Sequence, residues 1–151
     1  MKTGVFVGSF DPFTIGHDSI VRRALPLFDR LVIGVVGDNV HKPYMQPAEE
    51  RMKAISELYK GMDSIEVKTY HGLAVDFARA EQAGFIVKGV RSVKDFEHER
   101  EQADINRQIS GIETILLFAE PHLSSVSSSM VRELQHFGVD VSPFLAKRKE
   151  V

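Results

Sequence analysis

The 151-residue sequence contains no cysteine. That excludes a disulfide framework, a zinc ribbon, an iron–sulfur site and thiol catalysis, and it fits a reducing cytoplasm. Positive charge is not in excess either. Nineteen Lys and Arg against 21 Asp and Glu leave a net charge of −2, so no large positive field is available to hold a nucleic-acid backbone, and no nucleic-acid partner is expected. Long apolar runs are also missing. The longest, such as residues 114–119, fall far short of the ~20 residues a membrane helix requires, and no signal-peptide pattern opens the chain. The expectation is a cytoplasmic protein with no membrane partner. What remains is an ordinary globular composition, 43% hydrophobic and 26% charged, at a length that suits one domain over residues 1–151.

Short β-branched or apolar runs alternate with longer amphipathic stretches, the pattern of successive βα units. Runs at 3–7, 31–36, 64–68, 85–87 and 113–118 predict five strands. Helices are predicted near 18–28, 47–59, 73–83, 93–110 and 128–137, with a short one opened by Ser142-Pro143. Pro26 should kink or shorten the first helix, Gly84 reads as the C-cap of the third, and Ser92 as the N-cap of the fourth. Strands alternating with helices imply an α/β fold, a single doubly wound five-stranded parallel sheet with right-handed crossovers. Such sheets bind ligands beyond the carboxyl ends of their strands, where the strand order reverses. The loops after strands one, two, four and five therefore carry the functional reading.

The first of these loops reads Gly8-Ser9-Phe10-Asp11-Pro12-Phe13-Thr14-Ile15-Gly16-His17 and runs straight into a helix. Glycine lets backbone approach a ligand closely, and a helix N-terminus offers unpaired amides and a partial positive charge. The loop reads either as a phosphate cradle or as a tight turn in which His17 caps the helix. It lacks the Gly-Lys-Ser ending of a P-loop and the three spaced glycines of a dinucleotide fingerprint. Its glycine, serine, Phe, Asp and Pro, followed by Gly16-His17, resemble the signature of the nucleotidyltransferase superfamily related to class I aminoacyl-tRNA synthetases. Thr14-Ile15-Gly16-His17, in place of the commoner His-x-Gly-His, is similar to the phosphopantetheine adenylyltransferases. The resemblance continues in order through Lys88-Gly89-Val90-Arg91 after the fourth strand and Asp95-Phe96-Glu97, Glu99 and Asn106-Arg107 on the next helix. It ends with Val126-Ser127-Ser128-Ser129 and Arg132.

This resemblance implies a Rossmann-like nucleotidyltransferase fold and transfer of the adenylyl group of ATP to 4′-phosphopantetheine, giving dephospho-coenzyme A and pyrophosphate. It implies Mg2+ arriving with ATP and held mainly by phosphate oxygens and water. It also implies a homo-oligomer, commonly a hexamer, whose interface Phe137 and Phe144 could serve. His17 is assigned to the α-phosphate, where a neutral imidazole suffices as donor, and Arg91 to the β- and γ-phosphates, which suit its planar fork. Ser9, Phe10, Gly89, Val90, Glu99 and residues 123–129, that is Leu123, Ser124, Ser125, Val126, Ser127, Ser128 and Ser129, complete the expected ATP site. The acceptor falls to Ser9, Lys88, Leu73, Ala74 and Asn106, with backbone at Leu73 and Ala74 meeting the pantetheine arm.

The family also places a catalytic lysine after strand two, bridging both substrates' phosphates. Counting from that strand gives His41, and counting back from Pro43 gives Lys42. Lys42 is favoured because a flexible cationic side chain suits a phosphate clamp and spans a one-residue shift; His41 stays open as its substitute. Two other functional readings stand beside this one. The first is adenylyl or cytidylyl transfer to another phosphorylated acceptor, against which Thr14 argues. The second is a non-catalytic nucleotide-binding module, which binding without pyrophosphate release would mark.

Overall fold

A computed structural model describes residues 1–37 and 46–148. His41 and Lys42 lie outside the described residues. The chain alternates β1 (Thr3–Gly8), α1 (Ile15–Ala24), β2 (Arg30–Val36), α2 (Ala48–Leu58), β3 (Ile65–Tyr70), α3 (Ala74–Ala80), β4 (Phe85–Val90), α4 (Val93–Ser110), β5 (Glu113–Phe118) and α5 (Ser128–His136). All five strands pair in parallel, in the order β3-β2-β1-β4-β5. The expected doubly wound sheet is therefore present.

The period-2 alternation of a strand sorts the core into two layers. Phe6, Leu31, Ile33 and Val87 point to the side covered by α1 and α2, where Ile20, Val21, Ala24, Ile55 and Tyr59 meet them. Val5, Val7, Val32 and Ile86 point to the other side, where Val75, Phe77 and Ala78 of α3 close over them. Gly34 in β2 is required by that second layer, because a Cβ there would lie 2.5 Å from Cε2 of the buried Phe77 ring. Gly34→Ala is expected to destabilise the fold by about 1–3 kcal/mol through forced repacking around that ring, readable as a lowered denaturation midpoint with unchanged slope.

Several local boundaries differ from the sequence expectation. Helix α1 starts at Ile15 rather than near 18, because Thr14 caps it, and it ends at Ala24. Pro26 sits in a 3-10 turn, Leu25–Leu27, so the proline shortens the helix as anticipated. Gly84 is not the cap of α3: Gln82 takes the left-handed conformation at φ 58°, while Gln82 N–H donates to the Arg79 carbonyl and Ala83 N–H to the Ala78 carbonyl. That is a Schellman closure with glutamine in the position glycine usually holds. Strand β4 runs on to Val90, since Lys88, Gly89 and Val90 pair with Leu116, Leu117 and Phe118. Lys88 and Gly89 therefore project from a strand rather than from the loop after it. Phe137 is exposed as expected, whereas Phe144 is half-buried. Among the described residues no helix is long and apolar enough to cross a membrane.

Candidate active site

The strand order reverses between β1 and β4, and a cleft of about 370 Å³ opens there, walled by Gly8 at the end of β1, by Ser9 and Phe10 after it, and by Lys88, Gly89 and Arg91 of β4 and its exit. His17 of α1, Asp95 and Glu99 of α4, and Ser127, Ser128 and Ser129 at the start of α5 complete its polar lining. This is where a doubly wound sheet offers strand ends and helix N-termini to one ligand.

His17 is built into the start of its own helix. Thr14 Oγ1 accepts from His17 N–H at 3.4 Å, and Thr14 N–H donates to His17 Nδ1 at 2.9 Å, a capping box with histidine in the reciprocal role. A backbone N–H can only donate, so Nδ1 accepts and the neutral ring carries its proton on Nε2. The rings of Phe10 and Phe13 stand 5.1 and 5.2 Å from the imidazole, centre to centre. Burial among them, aided by the nearby Arg91 charge, pushes the His17 pKa from 6.5 down to about 4. The residue is therefore a neutral hydrogen-bond donor at physiological pH. Capping uses Nδ1 and leaves the Nε2 proton available as a donor.

The loop around His17 is tied down from three directions. Ser128 Oγ donates to the Pro12 carbonyl at 2.8 Å, Arg132 Nη1 to the Asp11 carbonyl at 2.6 Å, and Arg51 Nη1 to the Ser9 carbonyl at 2.6 Å. Phe10 is held at φ 50°, a left-handed conformation that costs a non-glycine residue free energy and persists only where the surroundings over-determine it. The Asp11-Pro12 peptide is cis.

The two cations of β4 and its exit are already paired with carboxylates of α4. Lys88 Nζ lies 3.6 Å from Glu99 Oε2, and Arg91 Nε lies 3.3 Å from Asp95 Oδ2. The second pair engages Nε of the guanidinium and leaves its two Nη groups to bind a bidentate anion. Ser92 Oγ caps α4 by accepting from Asp95 N–H at 3.2 Å, which fixes Asp95 one turn from Arg91.

A sequence model described as cytidylyltransferase-like matches residues 5–134. The phosphopantetheine adenylyltransferase of Phocaeicola vulgatus is 51% identical over 151 residues, covering 100% of this chain and 99% of the relative. The chain belongs to the phosphopantetheine adenylyltransferase family. That of Bacteroides fragilis is 50% identical over 100% of both chains. A solved bifunctional NMN adenylyltransferase/ADP ribose pyrophosphatase from Francisella tularensis shares the fold at a TM-score of 0.72, with 15% identity over 98% of this chain and 46% of that one.

In this phosphopantetheine adenylyltransferase-family chain the cleft gathers Ser9, Phe10, His17, Lys88, Gly89, Arg91, Glu99, Leu123, Val126 and the three serines 127–129. Val90 instead lines a neighbouring groove with Phe96 and Phe118. Ser124 and Ser125 sit beside the cleft lining in a turn that Ser124 Oγ closes on the Pro121 carbonyl at 2.9 Å. Leu73 and Ala74 open α3, with Leu73 57% exposed, and Asn106 lies two turns along α4 from Glu99; none of the three lines this cleft. Sequence reasoning missed Thr14, Asp95 and Arg51 as site residues. A threonine three residues before His17, and an aspartate four residues after Arg91 on a helix, are the signals that pointed to the first two. Arg51 had no local signal, because its partners are main-chain carbonyls and two of the three, those of Ser9 and Val36, are 42 and 15 residues away.

Proposed function

We propose that this chain transfers the adenylyl group of ATP to 4′-phosphopantetheine, forming dephospho-coenzyme A and pyrophosphate in coenzyme A synthesis. The observation that carries the reading is the neutral His17, held as an Nε2 donor in the same cleft as Arg91 and Lys88. A phosphate monoester has its second pKa near ~6, so the acceptor's oxygen is already charged at neutral pH and needs no general base. It attacks the α-phosphorus as the bond to pyrophosphate breaks, and the reverse step rebuilds ATP. His17 Nε2–H donates to an α-phosphate oxygen as charge gathers there, a contact worth most in the transition state. Arg91 holds the β- and γ-phosphates, Lys88 the acceptor phosphate, and Lys42 or His41 bridges the two substrates.

Ser9 and the serines of α5 add hydroxyls and amides around the phosphates. Residues 123–126 border the adenine, while Leu73, Ala74 and Asn106 meet the pantetheine arm. Mg2+ enters as the counter-ion of ATP. It would be held mainly by phosphate oxygens and water, with Glu99 the cleft carboxylate able to meet its hydration shell. We further propose a cytoplasmic homo-oligomer, a hexamer by family resemblance. Helix α4 buries none of its residues, and Ile105, Ile109 and Phe137 are exposed.

Pyrophosphate release from ATP and Mg2+ should occur with 4′-phosphopantetheine and stay at background with nicotinamide mononucleotide, flavin mononucleotide and glycerol 3-phosphate. Release with one of the other acceptors would overturn the substrate, and ATP binding with no release at all would favour a nucleotide-binding module.

A further inference from the structure

Two buried titratable groups beside the cleft take no part in the chemistry above. Asp18 follows His17 in the first turn of α1, and Tyr59 is the C-cap of α2. Both are buried, Tyr59 to 3% exposure. Taking a carboxylate out of water is costly unless its oxygens are met. Here they are met: Tyr59 Oη donates to Asp18 Oδ1 at 2.6 Å, and Arg22 Nε donates to Oδ1 at 3.1 Å and Oδ2 at 2.9 Å. Burial, and after it the hydrogen bond to Asp18, pushes the Tyr59 hydroxyl far above its usual range, so it stays protonated and remains the donor.

The same tyrosine reaches the imidazole by a second route. Its ring meets Phe13 edge-on, 6.1 Å between centres and 87° between planes, and Phe13 in turn lies 5.2 Å from the His17 ring. Tyr59 thus holds the residue after His17 through its hydroxyl and the wall against His17 through its ring. Thr14 N–H fixes only one point of the imidazole, Nδ1. Nε2 moves with any swing about that bond, and the swing is limited by the rings of Phe10 and Phe13, the second of which Tyr59 backs.

We propose that Tyr59, held by Asp18, is a positioning residue for adenylyl transfer, backing Phe13 and bracing the first turn of α1 so that His17 Nε2 keeps its aim at the α-phosphate. This rests on the adenylyl-transfer reading above. Tyr59 is not among the residues that line the cleft, so its effect runs through His17.

The test uses the full chain with Tyr59→Phe, which keeps the ring against Phe13 and removes only the hydroxyl, and with Asp18→Ala, which removes the acceptor. Tyr59→Phe is repeated in a His17→Gln background. Melting temperature, kcat and KM for ATP and 4′-phosphopantetheine are measured for each. Tyr59→Phe is expected to fold and to lose about 5- to 20-fold in kcat, with each KM moving less than about threefold, because a small misplacement of a transition-state donor is costly. In the His17→Gln background it should cost no further kcat, while the drop in melting temperature stays the same in both backgrounds. General support of the fold would instead lower the rate by one factor with either residue at position 17. An equal kinetic loss in both backgrounds, an unchanged kcat in Tyr59→Phe, wild-type turnover in Asp18→Ala, or a Tyr59→Phe chain that does not fold would each overturn the proposal and leave the pair as core packing. Full turnover in His17→Gln alone would overturn it too, while leaving the adenylyl-transfer reading intact. Absence of dephospho-coenzyme A from the unsubstituted protein would remove that reading itself.

Discussion

His17→Gln should lower kcat by about 100- to 1,000-fold and leave both the fold and ATP affinity nearly unchanged. The choice of glutamine separates the two duties of the ring. Thr14 N–H donates to Nδ1 at 2.9 Å, and glutamine in that third helical position is a natural capping-box partner able to accept the same bond. Its flexible carboxamide, held at the cap through the oxygen, no longer fixes an N–H donor where the rigid ring fixes Nε2. His17→Ala loses both, so it should show the same kinetic loss plus about 1 kcal/mol of stability. Wild-type turnover in the glutamine variant would mean that His17 is a cap and nothing more.

The same ring sets a pH signature. With a folded pKa of about 4 against the ordinary 6.5, the unfolded chain binds more protons between those values. Stability therefore rises with pH through that window: the contribution of a neutral His17 is complete above about pH 6.5 and is lost as pH falls toward 4. The melting temperature of the unsubstituted protein should drop more steeply than that of His17→Gln between pH 6.5 and 4. Turnover should decline below about pH 6 in both, because the acceptor phosphate takes up its second proton there. A rate decline present only with histidine would assign the titration to His17 instead.

The strand pattern and the order of the loops were legible because both follow from short-range periodicity. A sheet of five parallel strands leaves few alternatives for where a ligand sits, and Ser9, Phe10 and His17, Lys88, Gly89 and Arg91, and Ser127 to Ser129 line one cleft, whereas Val90 does not. What was not legible is the pairing that a single residue type cannot announce. Lys88 and Arg91 read as free phosphate ligands in sequence, yet each faces a carboxylate of α4, at 3.6 and 3.3 Å. The extension of β4 through Val90 was hidden by Gly89, which reads as a break; here glycine gives Ile20 room, its Cγ1 lying 3.0 Å from where a Cβ would stand. Gln82 escaped notice because a left-handed cap is read from glycine, and Gly84 lay two residues on. Arg51 could be found only after folding brought Ser9, Val36 and Gln46 together.

Arg91→Ala should cost about 10- to 100-fold in kcat/KM, the loss of one or two charge-assisted hydrogen bonds worth about 1.5–3 kcal/mol. Arg91→Lys should recover little of it, since the Nη fork that Asp95 leaves open by taking Nε has no counterpart in lysine. A second readout comes from His17. Desolvation is the larger cause of its depressed pKa and the Arg91 charge the smaller, so removing that charge should raise the His17 pKa above about 4 without restoring it to 6.5. Proton NMR titration of the imidazole in Arg91→Ala measures this directly. An unmoved pKa would mean that Arg91 does not reach the His17 side of the cleft, and the reading in which both act on one triphosphate would fall. A raised pKa together with the kinetic loss would tie the two residues to the same anion: the cation that adds to burial in lowering the His17 pKa would also be one that the bound phosphates need.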